Sequence, residues 1–128
     1  MTPQFNLFVK DQNKSAEFYT FVLDRKPSLH VAGMTEFDFH GCILGLMPET
    51  GIKRLLGNQL PDLNEGRGIP RAELYLRVDD PQVFHERALR AGAEELSGLE
   101  RRDWGDVAAY SLDPDGHILA FAKRLSDG

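Results

Sequence analysis

Cysteine is almost missing from this chain: Cys42 is the only one in 128 residues. No disulfide framework is available, and no cysteine metal cluster can form within one chain. Long apolar runs are missing too, so nothing approaches the roughly 20 apolar residues of a membrane-spanning helix. Met1-Thr2-Pro3-Gln4 enters a strand pattern directly, without the basic, apolar and small-residue succession of a secretory signal. Positive charge is in deficit, with 15 Lys and Arg against 20 Asp and Glu, a net charge of −5 and a pI near 5.3. That balance leaves no electrostatic footprint for nucleic acid. The expectation is a cytoplasmic protein with no nucleic-acid and no membrane partner. The remainder, 41% hydrophobic and 27% charged, suits one globular domain with a buried core.

What the chain does have is a repeat. Gln4-Phe5-Asn6-Leu7-Phe8-Val9-Lys10-Asp11 returns 69 positions later as Glu73-Leu74-Tyr75-Leu76-Arg77-Val78-Asp79-Asp80. Both copies are alternating strands that run into an Asp and then a helical pattern. Each half also closes on a related strand, Ile43-Leu44-Gly45-Leu46-Met47 and Ile118-Leu119-Ala120-Phe121-Ala122. An internal repeat fixes the architecture, here two tandem βαβββ modules in an α+β chain. The modules span about residues 1–50 and 70–125 of a single domain.

In the first half, period-2 alternation over 4–10 sets Phe5, Leu7 and Val9 against Gln4, Asn6 and Phe8. Asp11 is placed to cap a helix whose buried stripe is Phe18, Tyr19, Val22 and Leu23. Short strands are expected at 28–33, 34–40 and 42–47, punctuated by Gly33 and Gly41. Residues 48–70 carry so many prolines and glycines that they read as a linking loop, with room for one helical turn around 52–56. In the second half, strand 72–78 leads to Asp80-Pro81, a cap with proline at the first helical position. Phe84, Ala88 and Ala91 face the core, and Gly92 ends the helix. Strands near 94–100, 107–112 and 117–123 follow, the last two joined by the tight-turn run Asp113-Pro114-Asp115-Gly116. Ser126-Asp127-Gly128 reads as a frayed tail. One helix per four-stranded unit covers one sheet face and leaves the other curved around a cleft.

Phe8-Val9-Lys10-Asp11, Ser15-Ala16-Glu17-Phe18-Tyr19 and Val22-Leu23-Asp24, continued by Val78-Asp79-Asp80 and Arg90-Ala91-Gly92-Ala93, carry a resemblance. The most specific piece is Asp113-Pro114-Asp115-Gly116-His117-Ile118-Leu119-Ala120-Phe121. Together they resemble the vicinal oxygen chelate superfamily, which includes glyoxalase I, extradiol dioxygenases and bleomycin-resistance proteins. The resemblance implies a pair of βαβββ modules forming a half-open barrel, often as a homodimer. It also implies, in metal-dependent members, one divalent ion held by four side chains. Those positions fall on Gln4, Gly45, Glu73 and Ala120. Gln4 and Glu73 are possible donors, whereas Gly45 and Ala120 have no donor atom. A register slip by one residue offers only Leu44, Leu46, Leu119 or Phe121. Two ligands are too few to hold a catalytic ion without help from a neighbour or the substrate, so no metal and no cofactor are expected. His40 and His117 are the nearest other donors, the latter about 10 Å along the strand from Ala120. Both read better as solvated or satisfied imidazoles, and His30 and His85 as bystanders, the last on a helix surface.

Strand parity then places Gln4, Asn6, Phe8, Gly45 and Met47 on the lining of the first half. Glu73, Tyr75, Arg77, Ile118, Ala120 and Ala122 line the second. Apolar surface with a few polar groups is what a small-molecule pocket uses; the plainer alternative is that Gly45 and Ala120 simply admit aromatic side chains. Glu73 is either a general base, an anchor for a cationic ligand, or one half of an ion pair with Arg77. Trp104, in a Trp-Gly segment like that of bleomycin-resistance proteins, is either a lid over the pocket or ordinary packing. Arg67, Arg71, Arg101 and Arg102 rim the loops, where they could favour an anion or be a solvated face. A metal-free binding module that sequesters a small molecule is favoured over an enzyme. The alternative is a glyoxalase I-like lyase or isomerase, similar to lactoylglutathione lyase, or another enzyme with Glu73 as base.

Overall fold

Asp11 ends the first strand, β1 (Gln4–Val9), and starts the first helix, α1 (Gln12–Leu23). Its side chain accepts from the Lys14 amide at 3.1 Å, one of the donors that a helix start leaves without a partner. α1 buries Phe18, Tyr19, Val22 and Leu23, the stripe expected from their spacing. β2 (Leu29–Val31), β3 (Met34–Asp38) and β4 (Ile43–Pro48) follow. Between β3 and β4 the chain reverses through His40 and Gly41, both at positive φ (58° and 136°), with the Phe39 amide bonded to the Cys42 carbonyl. Two central residues of positive φ are what a tight hairpin requires. The computed structural model describes residues 1–126; Asp127 and Gly128 of the expected tail lie outside the described residues.

The second half repeats the order: β5 (Glu73–Arg77), a helix, then β6 (Glu94–Arg101), β7 (Asp106–Leu112) and β8 (Ile118–Arg124). Its helix (Pro81–Arg90) is capped by Asp80, which accepts from the Val83 amide at 3.3 Å. Asp113 builds the β7–β8 turn, its Oδ1 accepting from the amides of Asp115 (2.9 Å) and His117 (2.8 Å). The strand orders are β1-β4-β3-β2 and β5-β8-β7-β6. In each, the first strand runs parallel to the last and the other pairs are antiparallel. The α+β class and the tandem βαβββ plan are therefore realised, and both sheets are open. The chain divides into two compact units, Met1–Arg67 and Gly68 onward.

Residues 48–70 are more ordered than a loop. Glu49–Leu56 form a full helix, α2, making the Pro81–Arg90 helix α3 in chain order. Two 3-10 turns follow, Gly57–Gln59 and Leu63–Gly66. Glu49 in the first turn of α2 and Lys53 and Arg54 in its last suit the helix dipole. Arg67 returns to Glu49 at 2.8 Å, closing the segment on itself. Among the described residues no helix is long and apolar enough to cross a membrane.

Each sheet packs one face on its own helix. α1 lies on β3 and β4, over the fully buried Phe37, Leu44 and Leu46. α3 lies on β7 and β8, where Phe84 meets Phe121 at 5.2 Å between ring centroids. α3 also packs on β6, and this corrects the placing of His85 on a helix surface. That imidazole is only 1% exposed, with Nε2 2.8 Å from Glu95 Oε2. Phe5, parity partner of Leu7 and Val9, stays 66% exposed near the start of β1, the edge strand.

Phe121→Ala should cost about 3–5 kcal/mol, since it removes a buried ring and leaves its cavity unfilled. Urea unfolding at constant m-value checks this; a loss below about 1 kcal/mol would show that Phe121 does not anchor α3.

Candidate functional site

The face of the first sheet away from α1 is set by register. Asn6 pairs with Gly45 and Gly45 with Glu36, so the three form one row across β1, β4 and β3. Gly45 is buried, and a Cβ built there would collide with the Asn6 side-chain oxygen and press on Gln4 Nε2. The hydrogen in place of a side chain is what seats the Asn6 amide. Gln4 Nε2 holds the arrangement by donating to Asn6 Oδ1 and to Glu36 Oε2, both at 2.9 Å. Phe8 and Met47 are register partners on the same face. Gln4, Asn6, Phe8 and Met47 thus share one surface, and Glu36 joins it. Sequence reasoning missed Glu36, although alternation with the apolar Phe37, which is fully buried, would have put it on the opposite face.

The second sheet has the equivalent row, Tyr75–Ala120–Tyr110. Ala120 is fully buried, with a tyrosine in register on either side. The Tyr75 hydroxyl donates to Asp106 Oδ2 at 2.6 Å and accepts from the Trp104 indole N–H at 2.9 Å. Arg77 Nε donates to the same Asp106 oxygen at 3.0 Å, and its guanidinium lies 5.4 Å from the Tyr75 ring centre. Arg124 Nε stands 2.8 Å from Asp106 Oδ1. Asp106 has no exposed surface, which only its hydroxyl and guanidinium neighbours make tolerable. The Tyr75 hydrogen bond and the two guanidinium charges hold its carboxyl below the usual range, against the opposing effect of burial. Burial and the Asp106 hydrogen bond push the Tyr75 hydroxyl up. Tyr110 is also raised, by burial first and then by the nearby Glu73 charge.

The pairing of Glu73 with Arg77 is corrected here: Arg77 belongs to Asp106. Glu73 and Arg77 are four residues apart on one strand, about 13 Å in extended backbone, beyond side-chain contact. Glu73 stays exposed at the start of β5, and its carboxylate has no hydrogen bond or ion pair among the described residues. Asp106 and Arg124 were missed, though Arg124 continues the parity of Ile118, Ala120 and Ala122. Of the rim arginines, Arg102 is structural: it donates to Ser97 Oγ and the Ala108 carbonyl, both at 2.8 Å, and to the Gly98 carbonyl. Arg67 is paired with Glu49. Trp104 is half exposed. His30 is bonded to the buried Thr35 at 2.7 Å, and His40 sits in the β3–β4 turn.

Gly45 and Ala120, which the four-ligand pattern requires as donors, have none, and Asn6 occupies the space beside Gly45. Among the described residues no group of three or more His, Cys, Asp or Glu side chains could hold an ion. The residues present do not fit the superfamily's metal.

A family model described as Glyoxalase/Bleomycin resistance protein/Dioxygenase superfamily matches residues 2–121. Among curated proteins, an uncharacterized protein of Mycobacterium bovis is 25% identical over 129 aligned positions, covering 95% of this chain and 82% of its own. A Mycobacterium tuberculosis protein, also uncharacterized, has the same identity and covers 74% of its own length. Among solved structures, a glyoxalase-related enzyme from Fulvimarina pelagi superposes with a TM-score of 0.81 at 21% identity. It covers 97% of this chain and 88% of that one. A glyoxalase/bleomycin resistance protein/dioxygenase from Nocardioides gives 0.76 at 25% identity, covering 100% and 85%.

Two outcomes follow from these rows. Gly45→Ala should change stability by less than about 1 kcal/mol, because the displaced Asn6 end can rotate into solvent while the strand loses a flexible glycine. In an Asn6→Ala background the same substitution should turn stabilising, by about 0.5–1 kcal/mol; equal effects in both backgrounds would show that the two positions are not coupled. The second outcome concerns pH. Asp106, lowered from its ordinary 3.8, contributes stability above that value and loses it as pH falls through its folded pKa. Tyr75, raised above 10.0, contributes below that pH and loses its share as pH rises beyond it. Urea midpoints against pH should show both flanks, with the acid flank flattened in Asp106→Asn; an unchanged acid flank would refute this role.

Proposed function

Because the chain belongs to the glyoxalase/bleomycin resistance protein/dioxygenase superfamily, we propose that it uses the scaffold without the metal, as a small-molecule-binding module that sequesters its ligand. The observation that carries this is the pair Gly45 and Ala120. Both stand at equivalent positions of the repeat and both lack a donor; at Gly45 the space is taken by the Asn6 and Gln4 side chains, and Ala120 has a tyrosine in register on either side. Polarising an enediolate with a bound ion needs ligands at these positions. What stands on the two faces instead is a mixture of aromatic rings and fixed polar groups, which is how small-molecule sites are lined. A homodimer in the cytoplasm is part of the same proposal; the exposed Phe5 and Phe8 on edge strand β1 support the dimer.

A second reading, an enzyme with Glu73 as base, has one observation in its favour. The Glu73 carboxylate is spent on no hydrogen bond or ion pair among the described residues. Loss of a measured lyase or isomerase turnover in Glu73→Gln would support it.

Chelator-stripped protein titrated with Zn²⁺, Ni²⁺, Mn²⁺ and Fe²⁺ should show no rise in melting temperature, and untreated protein should carry no stoichiometric metal. A site filled at 100 times its Kd would add about 2.7 kcal/mol to stability, far above detection. Such a rise would end the metal-free proposal, and light scattering of the same sample would read its mass as monomer or dimer.

A further inference from the structure

On the face of the second sheet away from α3, two arginines share one carboxylate. Arg77 reaches Asp106 Oδ2 and Arg124 reaches Oδ1, each through Nε. The carboxylate is fully buried, while the two guanidinium side chains are 50% and 58% exposed. Two positive charges against one negative leave the cluster with a single net positive charge. Arg77 Nε hydrogen-bonds to Asp106, whereas Arg124 Nε is paired with that carboxylate by charge and proximity, Oδ1 accepting no hydrogen bond among the described residues. In both arginines the terminal amino groups remain. Among the described residues these make one further hydrogen bond, from Arg124 Nη1 to the Trp104 carbonyl at 3.2 Å.

Trp104 stands beside this cluster and is not free to swing. Its indole N–H is bonded to Tyr75, whose hydroxyl is bonded in turn to Asp106. The same carboxylate therefore positions both guanidinium groups and, through Tyr75, the indole. A half-exposed ring fixed at its N–H presents a preset stacking surface at little entropic cost. A guanidinium with its terminal amino groups unspent is matched in shape and charge to a carboxylate.

We propose that this face binds a planar aromatic monocarboxylate, its ring on Trp104 and its carboxylate on the terminal amino groups of Arg77 and Arg124. The proposal rests on the small-molecule reading above and names the ligand class. One negative charge neutralises the cluster. An uncharged ring would leave the guanidinium donors unused, and a cationic ring would be repelled by them.

The test compares naphthoate, naphthamide and naphthylmethylammonium, which share a ring system and differ in charge. Binding is followed by calorimetry in the presence of EDTA and by the Trp104 indole N–H resonance. That resonance has no overlap, because the chain has one tryptophan. Naphthoate should bind at least tenfold more tightly than naphthamide and shift the indole signal. Arg77→Gln and Arg124→Gln should each weaken naphthoate about tenfold, the loss of a charged hydrogen bond. Should either variant fold poorly, Arg77→Lys and Arg124→Lys keep the charge beside Asp106 and should still weaken binding by losing the planar fork. Equal affinity for naphthoate and naphthamide, tighter binding of the ammonium probe, no binding of any probe, or an unmoved indole signal would each overturn the inference. If the amide or the ammonium probe is the one retained, the small-molecule reading survives without it. Naphthoate binding that appears only when Zn²⁺ replaces EDTA would instead sink the metal-free reading, and this inference with it.

Discussion

A four-stranded sheet has two faces, and each sheet of this chain packs one of them on a long helix, while α2 follows β4 directly and touches β4 and β1. α1 takes the Phe37, Leu44 and Leu46 face of one sheet, and α3 the Leu119 and Phe121 face of the other. Side chains alternate along a strand, so every residue that supports a helix fixes a neighbour on the opposite face. At the centre of that opposite face stands a small residue, with longer side chains in register on the flanking strands. Asn6 and Glu36 flank Gly45; Tyr75 and Tyr110 flank Ala120.

The two rows show how one scaffold can carry different chemistry at equivalent points. In the first sheet the row is amides and a carboxylate, bound through Gln4. In the second it is two phenols, tied to a buried carboxylate with two guanidinium groups and an indole around it. A buried carboxylate is costly unless its partners are all present, so Asp106 makes Tyr75, Arg77 and Arg124 interdependent. Any one of them replaced alone leaves charge or hydrogen-bonding capacity uncompensated.

What was legible in the sequence was local. The caps at Asp11 and Asp80, the Asp113–Gly116 turn and the parity of each strand depend on residues within a few positions of one another. The repeat then ordered these pieces into two modules. The partners of Asp106 were not legible, because Tyr75 and Arg77 lie 31 and 29 residues away and are joined to it only by the β5–β8–β7 register. The Glu73–Arg77 pair was misjudged for the converse reason. Two residues on the same face of a strand look adjacent in a parity list, yet four positions of extended chain separate them. His85 was hidden by polar neighbours, Gln82 and Glu86, which advertise an exposed helix surface; that α3 also leans on β6 is a tertiary fact. In the 48–70 segment, glycine and proline frequency outweighed the acidic start and basic end of α2.

Gly45 bears on how such a chain can change over generations. Every glycine codon and every alanine codon is a single base from one for aspartate or glutamate. The atom that a new side chain at 45 would strike first is the far end of Asn6, an exposed group that can turn away, and not backbone. An acidic residue at this point of the sheet is thus close both in the genetic code and in steric terms. Lineages built on this scaffold can pass between donor-poor and donor-rich faces by short mutational steps, with the strands and helices beneath them left as they are.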